Sequence, residues 1–127
     1  MRRVGLLLAA VVCLAACARE ERVVEQVAYD YSIAMANYRI DDAVPYVTEE
    51  TNATLDLLRD LLQEVPAEYI ERDTPAEIEI TKVNFTSDTT AWAHYHKTTP
   101  NKNFNDSVPL LKRNGRWLIH IPLKPRR

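Results

Sequence analysis

The chain has 127 residues and a formal net charge of −2, enough for one small domain and no more. Its 16 basic and 18 acidic side chains include no basic run, which excludes a nucleic-acid partner. The one basic cluster, Lys124, Arg126 and Arg127, reads as a solvated tail rather than a lipid-headgroup contact.

At the N-terminus, Arg2 and Arg3 precede an apolar run of 11 residues, Val4 to Leu14. A spanning helix needs roughly 20 apolar residues, and Arg19, Glu20, Glu21 and Arg22 follow at once. A basic start, a short apolar middle and small residues at a cut describe a secretory signal peptide. Leu14-Ala15-Ala16-Cys17 resembles the lipobox of bacterial lipoproteins, in which the thiol accepts a diacylglyceryl group and becomes the first mature residue. The alternative is an ordinary cleaved signal with an incidental Cys17. Several acyl chains on Cys17 would anchor the domain stably, where one myristoyl-length chain binds only marginally. Ala18 stands where an inner-membrane lipoprotein carries aspartate, so the resemblance implies the outer membrane, facing the periplasm.

The expected divisions are a signal over 1–16, a lipidated Cys17 with a short tether over 17–22, a domain over 23–123 and the tail over 124–127. Loss of Arg2 and Arg3 takes Lys plus Arg from 16 to 14 against 18 acids, about −4. Cys13 leaves with the signal and Cys17 is modified. The mature domain then has no disulfide, no thiol nucleophile and no thiolate metal site. A tether of about four residues spans roughly 14 Å, which keeps the domain close to the bilayer.

Val24, Val27, Tyr31, Ala34 and Tyr38, with Met35 beside them, form one apolar stripe at helical spacing. Glu20, Glu21 and Glu25 fall in its opening turns, where the helix dipole favours anions. A second short helix is expected near Asp41 to Val47, capped by Asp41 or Asp42. A third is expected from Asn52 to Glu64 with the stripe Leu55, Leu58, Leu61, Leu62 and Val65, and Pro66 stops it. Strands follow. Ile78 and Ile80 alternate with Glu77 and Glu79, whereas Val83 and Phe85 carry the opposite parity, so a bulge is expected near Thr81–Lys82. A second strand spans Thr90 to Thr98, and a third lies near Asp106 to Arg113. Asn114-Gly115 marks a type I′ turn. That turn pairs Arg113 with Arg116, Lys112 with Trp117, Leu111 with Leu118, Leu110 with Ile119 and Pro109 with His120. The ladder is expected to loosen at Pro109.

The predicted class is α+β, with three N-terminal helices on a curved four-stranded antiparallel sheet. Ala28 to Tyr38 with Asp41-Asp42, Asp88-Thr89-Thr90-Ala91, and Lys112-Arg113-Asn114-Gly115-Arg116-Trp117 resemble the cone-like, cystatin-like α+β roll of nuclear transport factor 2 and SnoaL-type enzymes. In particular they resemble small lipoproteins of unknown function in that superfamily. The resemblance implies a pocket between helices and concave sheet face, and dimers through the outer face. It also implies that Ala91, Ala93 and Tyr95 point inward with Val108, Leu110, Trp117, Ile119 and Ile121.

Four functional readings follow. Catalysis lacks an interior carboxylate pair and a serine motif, so no enzyme is expected; a SnoaL-like activity is the weakest alternative. A metal on His94, His96 and His120 fails because the second and fourth strands lie roughly 9.5 Å apart, and no cofactor is expected. The main reading is a non-catalytic binding domain in the envelope. It contacts a homodimer mate or envelope protein through an outer face of Trp92, His94, His96, Leu111, Leu118 and His120. Parity leaves open the inverse, with Trp92 in the core. The alternative is a small ligand in a pocket lined by Tyr31, Tyr38, Tyr95 and Trp117.

Overall fold

A computed structural model describes the backbone of residues 2–124 and the side chains of residues 16–124. Arg126 and Arg127 of the expected tail, and the side chains of Leu14 and Ala15, lie outside the described residues. Helix α1 (Arg2–Ala36) is followed by α2 (Ile40–Ala43), a 3-10 turn (Val44–Tyr46), α3 (Glu49–Leu62) and α4 (Ala67–Arg72). Strands β1 (Glu77–Phe85), β2 (Thr90–Thr98), β3 (Asn103–Arg113) and β4 (Arg116–Ile119) form one antiparallel sheet in sequence order.

The expected class holds, with one helix more than expected in α4. The expected tether is absent: residues 18–22 are helical, continuous with what precedes and follows. Ala, Arg, Glu and Val fill this stretch without Gly or Pro, so nothing in it breaks the ladder. Glu20, Glu21 and Glu25 therefore sit mid-helix. Among the described residues no helix is long and apolar enough to cross a membrane.

The end of α1 is a Schellman motif. Arg39 N–H donates to Ala34 O at 2.9 Å and Tyr38 N–H to Met35 O at 3.1 Å. Tyr38 takes the left-handed position, φ +60°, where glycine is usual. Tyr38 thus leaves the helical stripe and turns the chain toward α2. Asp41 and Asp42 lie in the first turn of α2, with Arg39 at the cap. Helix α3 begins three residues earlier than expected because Thr48 caps it, its Oγ1 accepting from Thr51 N–H.

The strand register agrees with the pattern. Asn114 and Gly115 have φ +54° and +77°, and all four pairs from Arg113↔Arg116 to Leu110↔Ile119 are present. His120 N–H still donates to Pro109 O at 3.1 Å, but proline has no N–H to return, and β4 stops at Ile119. The β1–β2 register shifts between Ile80 and Lys82, the expected bulge.

Beyond β4, α3 takes over the role of a neighbouring strand. Thr51 Oγ1 accepts from Ile121 N–H at 2.8 Å, and Thr54 Oγ1 donates to Ile121 O at 2.8 Å. Thr48 N–H donates to Ile119 O at 2.9 Å. The open edge of β4 is thereby covered. Inside, Val24, Ala28, Tyr31 and Ala34 of α1 pack with Leu55 of α3 on Ala91, Ala93, Val108, Leu110, Trp117 and Ile119. Small residues on both surfaces let α1 lie close to the sheet.

Candidate functional site

The parity of β2 is settled by burial: Ala93 is fully buried and Trp92 is 41% exposed on the opposite face. Trp92 pairs with Pro109, and Leu111 pairs with Leu118 beside them. Leu111, Leu118, His94 and His96 are half-buried on this outer face. His96 Nδ1 is bonded to Asn105 Oδ1 at 2.8 Å across the strands.

His120 departs from that grouping. Its Nδ1 lies 2.9 Å from Thr48 Oγ1 and 3.8 Å from a Glu50 oxygen, so it belongs to the α3 junction. Among the described residues, no three His, Cys, Asp or Glu side chains come together in a way that could hold a metal ion. Cys17 is exposed with a free thiol, and Ala16 beside it is also exposed.

The four residues expected to line one pocket divide among three places. Tyr31 and Tyr95 share a cavity of about 250 Å³ between α1 and the open end of the sheet. Trp117 is buried at the other end of the inner face, edge-on to Phe85 at 5.6 Å and beneath Lys112. Lys112 also bonds Glu20 of α1 and holds that carboxyl below its usual range. Trp117 instead borders a smaller cleft of about 190 Å³ with Val27 and Tyr46. Tyr38, displaced by the helix terminus, borders a wider but shallower depression of about 450 Å³ between α2, α3 and α4. The Arg59 guanidinium there already pairs with Asp41 and Asp56. The α1–sheet cavity is therefore the better enclosed candidate, with polar groups still available.

Its walls combine three elements. Helix α1 supplies Tyr31, Ser32 and Met35; β2 supplies Tyr95 and Lys97; β3 supplies Asp106 and Val108. Burial pushes the Tyr31 hydroxyl above its ordinary range. Burial, then the neighbouring Asp106 charge, pushes Tyr95 up to about 12. Both phenols thus stay protonated at neutral pH and can donate hydrogen bonds. Ser32 is 4% exposed. Asp106 Oδ1 accepts from Ser107 N–H at 2.8 Å.

Sequence reasoning missed Ser32, Lys97 and Asp106. Asp106 and Lys97 were within reach, since each lies two residues beyond an assigned inward position, Val108 and Tyr95. Extending strand parity past the apolar residues would have found them. Ser32 carried no such signal, being a small polar residue beside the stripe.

A family model described as "Putative lumazine-binding" matches residues 19–120. A crystal structure of a "Putative NTF2-like transpeptidase" from Campylobacter jejuni is similar in fold, with 14% identity and a TM-score of 0.56 over 73% of this chain and 93% of that one. An NTF2-like protein of unknown function from Shewanella baltica gives 16% identity and a TM-score of 0.57, over 80% of this chain and 89% of the other. At such identities the likeness concerns the fold, which is NTF2-like. No curated protein matches the chain.

Proposed function

We propose that this chain, which belongs to the "Putative lumazine-binding" family, binds a small planar polar molecule in the cavity between α1 and the sheet. The observation that carries this reading is the cavity wall itself. Two tyrosine rings, Tyr31 and Tyr95, sit with Ser32 and Asp106 around about 250 Å³. Ligand pockets are typically apolar walls with a few placed polar groups, at about 300–1,000 Å³. This one suits a compact ring system such as a lumazine rather than a large cofactor.

Binding without turnover is part of the proposal. A phenol held near 12 is a poor proton shuttle at neutral pH, where general acid–base catalysis needs a group titrating close to ambient. The Cys17 resemblance supports a lipid-anchored envelope location. Native mass spectrometry of protein purified without denaturant, followed by calorimetric titration with lumazine, tests the reading. Extra mass or saturable heat that Tyr95→Ala removes is the expected result; neither in the wild type would sink it.

A second reading rests on Trp92. A 41% exposed tryptophan beside Pro109, Leu111 and Leu118 supports a protein partner on the outer face.

A further inference from the structure

Taking the cavity reading above as its basis, we propose that Ser32 and Asp106 read the polar edge of the ligand. Ser32 Oγ donates to a ring carbonyl, and the Asp106 carboxylate accepts from a ring N–H. Such a pair selects cyclic amides and ureides that carry a free N–H.

Ser32 is the more telling residue. It is 4% exposed, lines the cavity, and its Oγ has no hydrogen-bond partner among the described residues. A serine inside a helix usually returns its hydroxyl to the carbonyl four residues back, and this one does not. Buried polar atoms are almost always paired, so one left unpaired on a cavity wall marks a group that something else satisfies. A hydroxyl alone does not choose between donor and acceptor, and Asp106 makes that choice. An ionised carboxylate is acceptor-only with about four lone-pair sites, and Ser107 N–H uses one of them. Whatever faces Asp106 must therefore bring a proton.

A cation would also satisfy a carboxylate, but Lys97 shares the same wall and offsets its charge. Lys97 is itself drawn over the Phe104 ring, Nζ at 5.4 Å from the centroid. A neutral N–H beside a carbonyl fits both walls at once. The Tyr31 and Tyr95 rings supply apolar surface for a flat ring, and the phenols, remaining protonated, add donors for a second carbonyl.

The test is calorimetry on the full-length protein with lumazine and with its 1,3-dimethyl counterpart, which keeps both carbonyls and loses both N–H groups. The wild type should bind the dimethyl ring about tenfold more weakly, the worth of one hydrogen bond. D106A should lose about tenfold for lumazine and bind the two rings equally. S32A should lose about tenfold for both and keep the preference. Equal wild-type affinity for the two rings, or no effect of either substitution, overturns the edge assignment while cavity binding stands. Discrimination that persists in D106A means the methyls are refused on size, and it also overturns the assignment. Absence of heat with both rings overturns the lumazine reading itself and the edge with it.

Discussion

Asn37 holds both backbone polar groups of Ala76. Its Nδ2 donates to Ala76 O at 3.1 Å and its Oδ1 accepts from Ala76 N–H at 2.8 Å. One side chain therefore ties the end of α1 to the residue before β1, 39 positions along. Ala76 is buried with Ala36 and Ile78 in a small cluster of their own. Asn37→Ala would leave an N–H and a C=O unpaired there, and the expected cost is about 2 kcal/mol in chemical denaturation. Asn37→Asp keeps the acceptor and loses the donor, so it should fall between the two. A loss under about 0.5 kcal/mol for Asn37→Ala would show that the tie is dispensable.

Ser32→Ala is expected to stabilise the free protein. Alanine removes a hydroxyl that is buried and unpaired among the described residues, and it is the better helix former. The gain should be about 1 kcal/mol, or a rise of several degrees in Tm. A thermal melt without ligand measures it. Destabilisation would mean that the hydroxyl serves the fold.

Tyr95 should shape the alkaline limb of stability. Its phenol is raised from 10 to about 12, chiefly by burial and then by Asp106. A raised value means the folded state holds the proton more tightly than the unfolded chain. The resulting stability is complete below about pH 10 and lost as pH rises through about 12. Tyr31 and Tyr38 are raised as well, so the Tyr95 step is isolated by subtracting the phenolate titration of Tyr95→Phe. In an Asp106→Asn background the step should move down only part of the way, because burial remains. A step at the value of free tyrosine would contradict the cavity wall.

Much of the sheet was legible because its signals are local and periodic. Asn114-Gly115 demands positive φ at both positions, and that turn fixes every pair down to Ile119. The parity change between Ile80 and Val83 likewise located the bulge. The helix termini were less legible because their determinants compete. Tyr38 occupies a glycine-type position on the strength of the Schellman bonds, and a stripe written through it overruns the helix. The pocket was read from aromatic residues alone. Strand parity extends equally to polar positions, so Lys97 and Asp106 could have been placed, whereas the unpaired state of Ser32 exists only once α1 has docked.

Cys17 and the cavity lie on one continuous helix. Ser32 is fifteen residues beyond Cys17, which at 1.5 Å per residue is roughly 22 Å along the axis. A lipid at Cys17 would then put the cavity at the far end of α1 from the anchor, with a rigid spacer in place of the expected tether. Labelled palmitate should enter the wild type and not Cys17→Ser, and Cys17→Ser should leave the membrane fraction. Equal labelling of both proteins would leave Cys17 as an incidental residue.

Trp92 and Ala93 occupy opposite faces of β2, 41% exposed and fully buried respectively. They should answer the same substitution differently. Ala93→Glu places a carboxylate in the core against Val108, its strand partner, and is expected to unfold the domain. Trp92→Glu meets solvent and Pro109, so its melt should stay within about 0.5 kcal/mol of the wild type. If the outer face is a self-interface, Trp92→Glu should also convert dimers to monomers in sedimentation, because a charge there must be desolvated on association. Loss of fold would assign Trp92 to packing. A wild type that is already monomeric at high concentration would remove the homodimer and leave a different envelope protein as the partner for this face.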